Sequence, residues 1–143
     1  MKRFILIFSV ILFLSNISFA QKTSKVVFKD CSAQEFLQKL NETENAVVID
    51  TRSAKQYKRN RIKGAVLAGD FNAVKKILQD KPKDTPLFIY CETGDNSISI
   101  AALLMRNGYT HIYHLHNGLD DWWRAGYKLD KTKIKNIAQN YRY

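Results

Sequence analysis

The most informative stretch of this chain is a short apolar run that ends in a cysteine. Residues 87–90, LFIY, are continuous and apolar, which is typical of a strand covered on both faces, as in a parallel sheet. Cys91 ends the run, and six small or polar residues follow it, 92–97. Apolar residues then recur at helical spacing, at Ile98, Ala101, Ala102 and Met105. The pattern predicts a strand, a loop that carries a cysteine, and a helix.

Strands and helices are predicted to alternate along the chain. Ser32 and Ser53 each begin a capping box, with Glu35 and Gln56 three residues later, so we expect a helix after each serine. The predicted strands cover residues 26–28, 46–49, 66–68, 87–90 and 111–115. The predicted helices cover residues 32–40, 53–57, 72–78, 98–107 and 119–125. This alternation predicts an α/β fold with a central parallel sheet and helices on both faces, in which ligands bind at the carboxyl ends of the strands.

Cys91 is the candidate reactive residue. Backbone N–H groups and the helix dipole between a strand's end and a helix's start favour a thiolate, which is the nucleophilic form of cysteine. Gly94 gives the backbone freedom to curl around the sulfur, and Ser97 is expected to cap the helix. The alternative is a buried, inert cysteine, as most free cysteines are. The position of Cys91 between strand and helix favours the reactive cysteine.

Four short motifs follow one another along the chain. They are D-T-R at 50–52, I-K-G-A at 62–65, Y-C-x-x-G-x-x-S at 90–97 and N-G-L-x-x-W at 117–122. Each is weak alone, but in this order and at these spacings they resemble the single-domain rhodaneses, a family with the sulfurtransferase fold. The resemblance covers roughly residues 25–130 and implies a rhodanese-like fold, with Trp122 in the core.

The resemblance also implies a reaction. Cys91 would accept a sulfur atom from a small donor (thiosulfate or polysulfide) or from a protein persulfide, and pass it to a thiol acceptor or to cyanide. Backbone N–H groups of the loop would cradle the sulfur. Asp50 and Arg52 are supporting candidates, and no metal or organic cofactor is implied. The predicted substrate-binding residues are Glu92, Thr93, Gly94, Asp95, Asn96 and Ser97.

The chain departs from the family's pattern around Arg52. The family usually carries an acid where Gln56 stands, and that acid commonly pairs with the arginine corresponding to Arg52. It also usually carries a histidine where Arg61 stands. Because Gln56 is an amide, Arg52 needs another partner, and Asp50 is the predicted one.

The cysteine loop departs from the pattern as well. Many active members carry an arginine just before the serine, where this chain has Asn96. The loop instead holds Glu92 and Asp95, whose carboxylates would repel thiosulfate and oppose thiolate formation unless they point outward. A less charged donor, such as a polysulfide or a protein persulfide, is therefore as strong an expectation as thiosulfate.

Three rival functions follow from the same loop. A cysteine phosphatase on a related fold needs an arginine six positions after the cysteine to bind phosphate, and that position is Ser97, which argues against this class. A second alternative is a rhodanese-like module that has lost activity and binds a partner protein. A third keeps Cys91 reactive as an oxidant or thiol sensor. Persulfide formation on Cys91 would separate sulfur transfer from partner binding.

The first twenty residues predict a secretory signal peptide. Lys2 and Arg3 give a positive start, residues 4–14 are apolar except for one serine, and small residues precede the cleavage position before Gln21. An uncleaved membrane anchor is the alternative, but the apolar stretch is short for a span. We therefore expect an exported protein, periplasmic or secreted, with no stable membrane anchor after cleavage.

The predicted organisation has three parts. They are a signal peptide at 1–20, a rhodanese-like domain at 21–130, and a basic tail at 131–143, with the chain loosely ordered from Lys128 onward. The formal net charge is +10, and removal of Lys2 and Arg3 leaves +8. The lysines are spread along the chain, and an exported protein rarely meets nucleic acid. The charge therefore indicates a solvated basic surface and no nucleic-acid partner.

The remaining candidates are one cysteine and three histidines. Cys31 and Cys91 could form a disulfide in an oxidising compartment. The family's layout places them far apart, so both are expected to be unpaired. His111, His114 and His116 have a spacing that could suggest a metal site. Without cysteine or acid support, we interpret them as surface or strand-end side chains, with His116 near the mouth of the active site.

Overall fold

The structure is a computed structural model that describes residues 25–135. The predicted signal peptide, 1–20, and residues 136–143 of the predicted tail lie outside the described residues. The strands are β1 (Val27–Cys31), β2 (Val47–Asp50), β3 (Val66–Leu67), β4 (Leu87–Tyr90) and β5 (His111–Leu115). The helices are α1 (Ala33–Glu42), α2 (Ala54–Arg59), α3 (Phe71–Ile77), α4 (Asp95–Arg106) and α5 (Gly118–Arg124). Among residues 25–135, no helix combines the length and the apolar character needed to cross a membrane.

The five strands form one parallel sheet in the order β1-β5-β4-β2-β3. Successive side chains of a strand point to opposite faces, and the central strand β4 is buried on both. Phe88 and Tyr90 pack with residues of α1, α2 and α5, whereas Leu87 and Ile89 pack with residues of α3 and α4. The predicted parallel sheet with helices on both faces is confirmed.

Strand β1 is longer than predicted. The prediction ended it at Phe28 because Lys29 and Asp30 are polar. In the structure β1 continues to Cys31, and it is an edge strand on which polar side chains reach solvent. Asp30 is the register partner of His114 on β5. This pairing brings an acid to the carboxyl edge of the sheet, where parallel strands end together.

Helix α4 begins earlier than predicted. Its first residue is Asp95 rather than a residue near Ile98, so the loop after Cys91 is shorter than six residues. Polar residues in a first helical turn resemble a loop in sequence, yet an aspartate at a helix N-terminus interacts favourably with the helix dipole. The capping boxes predicted at Ser32 and Ser53 are both present.

The described part of the C-terminal segment packs on the domain. Arg61 and Asp130 form an antiparallel bridge through their backbones, and Arg61 Nη2 lies 2.7 Å from Asp130 Oδ2. The same nitrogen donates to Thr132 Oγ1 at 2.7 Å. Leu129 and Ile134 pack against the core cluster that contains Trp122. The predicted loose order from Lys128 onward is therefore wrong for residues 128–134, because the buried Arg61 holds this segment.

Candidate active site

Cys91 lies directly after β4, at the carboxyl edge of the sheet. Its residue is 5% exposed, and its sulfur accepts a hydrogen bond from the backbone N–H of Gly94 at 3.1 Å. The Ser97 hydroxyl lies 3.4 Å from the same sulfur. A backbone donor and a hydroxyl at the start of a helix stabilise negative charge on sulfur. The sequence predicted this strand, loop and helix around the cysteine.

The turn between β5 and α5 packs against the cysteine loop. Gly94 has φ of 100°, and a β-carbon there would overlap the carbonyl oxygen of His116. Gly118 has φ of 62°, and a β-carbon there would come within 2.5 Å of the carbonyl oxygen of Cys91. The Leu119 N–H donates to that same Cys91 oxygen at 2.8 Å. These close backbone approaches fix the loop and explain why both positions carry glycine.

Ser97 does not cap helix α4, so that prediction is wrong. The N-cap residue is Gly94, which makes no side-chain capping bond, and Ser97 lies within the first turn with its residue fully buried. The hydroxyl of Ser97 lies 3.0 Å from the Gly94 carbonyl and 2.8 Å from His114 Nε2, in addition to the Cys91 sulfur. An interior position on the first turn directs the hydroxyl at the sulfur rather than at the helix end.

Arg52 and Asp50 form a buried pair beside the loop, as predicted. Asp50 ends β2, and Arg52 donates to it through Nη2 at 2.8 Å and through Nε at 3.0 Å. The hydroxyl of Tyr90 donates to the same carboxylate at 2.7 Å. Burial alone would lower the pKa of Arg52, but the hydrogen bonds and charge of Asp50 raise it above its usual value. Burial, followed by the charge of Asp50, raises the pKa of Tyr90.

Glu92 faces Arg52. Its Oε2 atom accepts from Arg52 Nη1 at 2.9 Å and from Gln56 Nε2 at 3.1 Å. The side chain of Arg52 is 1% exposed and that of Glu92 is 36% exposed. A carboxylate at the edge of the cavity is thus bound to a buried cation, which compensates its charge.

The other polar residues of the loop are held locally. Thr93 Oγ1 donates to Asp95 Oδ2 at 2.9 Å. Asn96 Nδ2 donates to the Thr51 carbonyl at 3.0 Å, which ties the start of α4 to the end of β2. A cavity of about 300 Å³ opens beside Cys91. It is lined by Thr51, Arg52, Ser53, Gln56, Cys91, Glu92, Thr93, Asp95 and Asn96.

His114 and Asp30 are site residues that the sequence analysis missed. The interpretation of His114 as a surface side chain is wrong, because the residue is 2% exposed, although it does lie near the end of β5. Its Nδ1 lies 2.8 Å from Asp30 Oδ1 and its Nε2 lies 2.8 Å from Ser97 Oγ. Ile112 and His114 are two residues apart in β5, so their side chains lie on the same face of the sheet. Because Ile112 is an apolar residue of a predicted strand, this spacing could have indicated that His114 is buried.

The other two histidines differ in their surroundings. His116 follows β5 and is exposed, with Nδ1 2.6 Å from Asp30 Oδ2. Burial tends to raise the pKa of Asp30, but hydrogen bonds with His114 and His116 outweigh burial and lower it. His111, at the start of the strand, contacts Thr110 Oγ1 at 3.0 Å. Within residues 25–135, no group of three or more histidine, cysteine, aspartate or glutamate side chains is arranged to hold a metal ion.

The sequence matches the family model described as the rhodanese-like domain over residues 32–125. This range spans α1 to the end of α5 and includes Cys91 and its loop. The chain belongs to the rhodanese-like domain family.

Curated relatives of this rhodanese-like protein include named sulfurtransferases. The thiosulfate sulfurtransferase GlpE of Actinobacillus succinogenes is 33% identical over 89 residues, which cover 62% of this chain and 79% of the relative. The protein of the same name from Pseudomonas putida is 32% identical over 106 residues, which cover 74% of this chain and 94% of the relative. These similarities place the chain among the rhodanese-like sulfurtransferases, which act on small sulfur donors and thiol acceptors.

A solved structure agrees with the fold. The rhodanese-like domain protein from Staphylococcus aureus superposes with a TM-score of 0.61 at 21% identity. The match covers 74% of this chain and all of that one. At this level of identity the similarity shows the fold.

This rhodanese-like protein pairs its arginine in an unusual way for the pattern it resembles. The acid expected on α2 is replaced by Gln56, and Glu92 reaches Arg52 from the cysteine loop instead. The histidine expected near α2 is replaced by Arg61, which binds the C-terminal segment. Glu92 is distant in sequence from Arg52, and the C-terminal segment is distant from Arg61. The motifs therefore did not indicate either contact.

Cys31 and Cys91 are both free thiols in the structure, as predicted. Cys31 ends β1 and is fully buried in the core cluster with Phe36 and Trp122. Burial raises the pKa of Cys31 to about 11. It is therefore protonated and unreactive at neutral pH, whereas Cys91 lies beside the cavity.

Proposed function

We propose that this protein transfers sulfane sulfur from a donor to a thiol acceptor through a persulfide on Cys91. The observation that supports the proposal most directly is the pair of donors on the Cys91 sulfur, the Gly94 N–H at 3.1 Å and the Ser97 hydroxyl at 3.4 Å. These donors would stabilise the thiolate before attack and the leaving thiolate afterwards. Family membership makes sulfur transfer the reaction to expect of such a cysteine.

The proposed reaction has two displacement steps. In the first, the Cys91 thiolate attacks the outer sulfur of the donor. The bond between that sulfur and the rest of the donor breaks, and its electron pair leaves with the rest of the donor (sulfite, when the donor is thiosulfate). In the second, an acceptor thiolate attacks the outer sulfur of the persulfide, and the electron pair of the S–S bond returns to Cys91. No net oxidation or reduction of the protein occurs.

The charges around the cavity favour a donor with little negative charge. Among the described residues that line it, Arg52 is the only basic one, and both Asp50 and Glu92 neutralise it. Asp95 adds a further carboxylate to the lining. We therefore infer that a donor of lower charge, a singly charged hydropolysulfide or a protein persulfide, is better than the thiosulfate dianion, although curated relatives are named for thiosulfate. Of the predicted substrate-binding residues, Glu92, Thr93, Asp95 and Asn96 line the cavity and would contact the donor, whereas Gly94 and the fully buried Ser97 would act through the Cys91 sulfur.

We also propose that the protein is exported and acts outside the cytoplasm, with cleavage before Gln21. The support is the sequence pattern of the first twenty residues. Expression of the full chain in a bacterium, followed by periplasmic extraction and N-terminal sequencing, tests this. A periplasmic protein that begins at Gln21 is the expected result, and an intact N-terminus in the cytoplasm would contradict it.

A turnover assay tests the enzymatic proposal. Purified protein is mixed with thiosulfate or with polysulfide, and transfer to cyanide is followed as thiocyanate. We expect turnover with polysulfide to exceed turnover with thiosulfate, and Cys91→Ser to abolish both. Cys31→Ser is the matched control and should retain activity. Equal residual turnover in wild type and Cys91→Ser would refute the role of Cys91.

A further inference from the structure

A continuous chain of polar contacts leads from the Cys91 sulfur to the protein surface. The sulfur lies 3.4 Å from Ser97 Oγ, which lies 2.8 Å from His114 Nε2. On the other side of the ring, Nδ1 lies 2.8 Å from one oxygen of Asp30, and the second oxygen lies 2.6 Å from His116 Nδ1. Cys91 and His114 are buried, whereas the side chain of His116 is 61% exposed. The chain therefore starts at a buried thiol and ends in solvent.

Each ring nitrogen of His114 faces a hydrogen-bond acceptor. The Asp30 carboxylate at Nδ1 is an acceptor, and so is the Gly94 carbonyl, which lies 3.1 Å from Nε2. If both ring nitrogens carry protons, Nδ1 donates to Asp30 while Nε2 donates to the Gly94 and Ser97 oxygens. The Ser97 hydroxyl can then donate its own hydrogen to Cys91. In the neutral ring with a bare Nε2, two lone pairs would face each other at the Gly94 carbonyl.

We propose that His114 takes the proton of the Cys91 thiol through the Ser97 hydroxyl. The S–H bond breaks and its electron pair stays on sulfur. Ser97 Oγ gains that proton as its own hydrogen passes to His114 Nε2, so the hydroxyl is regenerated. The product is a thiolate on Cys91 and an imidazolium on His114, which the Asp30 carboxylate neutralises.

The reverse transfer accompanies sulfur release, and this part of the inference rests on the proposed function. When an acceptor removes the outer sulfur, Cys91 leaves as a thiolate. The imidazolium then returns a proton through Ser97 by the same route. His114 does not contact the donor and acts through Ser97, so it is a positioning residue, and Asp30 in turn positions His114.

Three ionisable groups accompany His114 in this network. Asp30 approaches it from β1, His116 follows it at the end of β5, and Cys91 lies in the loop after β4. Helix α4 contributes Ser97, which is uncharged. Asp30 is the single carboxylate in contact with the His114 ring among the described residues. Its replacement is therefore the direct test of imidazolium stabilisation.

The rate at which iodoacetamide alkylates Cys91 tests the inference without any sulfur donor. Mass spectrometry of the Cys91 peptide would follow the rate between about pH 5 and 8, where histidine side chains titrate. We expect His114→Gln to lower the rate at neutral pH by about tenfold, because a hydrogen-bonded counter-charge is lost. Ser97→Ala should lower it similarly. Since both substitutions interrupt the same proton route, the double variant His114→Gln/Ser97→Ala should be alkylated no more slowly than Ser97→Ala alone.

Two further variants complete the test, one as a control and one as a substitute for His114→Gln. His111→Gln removes a histidine of the same strand outside the network and should alkylate at the wild-type rate. If His114→Gln does not fold, as judged by its thermal unfolding, Asp30→Asn tests the same route from a partly exposed position. It should slow alkylation by about twofold, which corresponds to the lower end of the net value of a hydrogen bond.

Two results would overturn the inference. One is a wild-type alkylation rate and pH profile in His114→Gln or in Asp30→Asn. The other concerns the double variant His114→Gln/Ser97→Ala. If its alkylation rate falls by the product of the factors measured for the two single variants, the two residues act independently and not along one route. Neither result depends on persulfide formation. A normal persulfide yield with an unchanged alkylation profile would remove the proton route and leave the proposed function intact.

Discussion

Arg52 and Glu92 are forty residues apart in the sequence, and their side chains form an ion pair of 2.9 Å beside the cavity. Arg52 also binds Asp50 at 2.8 Å, so its single charge is shared between two carboxylates. The pair holds the Glu92 carboxylate toward α2, where Gln56 donates to the same oxygen. The cavity consequently lacks an uncompensated positive charge among its described lining residues, which bears directly on the choice of donor.

Glu92→Gln should improve the use of thiosulfate. The amide oxygen can still accept from Arg52, but the negative charge is removed, so Arg52 attracts an anion more strongly. A charge at about 4 Å in water is worth about 1 kcal/mol, which corresponds to a KM for thiosulfate about fivefold lower. Steady-state assays with thiosulfate and with polysulfide measure this change.

The same variant has a stability prediction and a control. Loss of a partly exposed ion pair should lower the free energy of unfolding by about 0.2–1 kcal/mol. Asp84→Asn removes a carboxylate from the exposed loop before β4 and should leave the KM unchanged. An unchanged KM in Glu92→Gln would show that the ion pair does not control donor choice.

Asn96→Arg should also favour thiosulfate, because it adds a cation to the cavity lining at the position where the family often carries arginine. The substitution removes the hydrogen bond from Asn96 to the Thr51 carbonyl, so we expect a loss of about 1 kcal/mol in stability. Asn96→Gln, which is uncharged, separates the two effects. If both variants change thiosulfate turnover equally, charge is not the cause.

Gly94→Ala should be strongly destabilising. The residue has φ of 100°, and an added β-carbon would overlap the His116 carbonyl oxygen. Gly108→Ala is the matched control, since Gly108 has φ of 86° but no atom within 4 Å of the added carbon. Gly108→Ala should lower the free energy of unfolding by about 1–2 kcal/mol, because alanine adopts this backbone conformation less readily than glycine. Gly94→Ala should cost several kcal/mol more in denaturant unfolding, and equal costs in the two variants would contradict the close packing.

Acidification should weaken the attachment of the C-terminal segment. Burial tends to raise the pKa of Asp130, but hydrogen bonds from Thr132 and the charge of Arg61 outweigh it, so the pKa is lowered. A carboxyl group with a lowered folded-state pKa contributes full stability above its unfolded pKa of about 3.9. That contribution is lost as the pH falls through the folded-state value.

Asp130→Asn tests this attachment. The variant should be less stable than wild type by about 2 kcal/mol at neutral pH, because charged hydrogen bonds to Arg61 are lost. The difference should shrink below about pH 4, where Asp130 in wild type becomes protonated. Denaturant unfolding at a series of pH values measures both quantities. A difference that stays constant with pH would contradict the role of the Asp130 charge.

The sequence predicted the parts of the site that are local in the chain. The apolar run before Cys91, the glycine after it and the helical spacing beyond it are all encoded within a few residues. Asp50 and Arg52 are only two residues apart, so their pairing was also visible. The start of α4 was misplaced because Asp95 and its neighbours are polar, and polar residues suit both a loop and a first helical turn.

The parts that were missed depend on contacts between distant segments. Asp30 and His114 are 84 residues apart in the sequence. They meet because β1 pairs with β5 in a register that places the two residues opposite each other. Glu92 reaches Arg52 from the loop after the neighbouring strand, and Arg61 binds Asp130, which lies 69 residues further along the chain. Strand order and side-chain direction determine such contacts, and neither can be derived from a motif.

Sulfur transfer through Cys91 is tested by intact-mass measurement of the purified protein after incubation with polysulfide and, separately, with thiosulfate. We expect a gain of one sulfur atom that is located on the Cys91 peptide, is absent in Cys91→Ser and is removed by cyanide or a thiol. We also expect a larger gain from polysulfide than from thiosulfate. No gain from either donor, with Cys91 still open to alkylation, would contradict sulfur transfer and direct attention to partner binding.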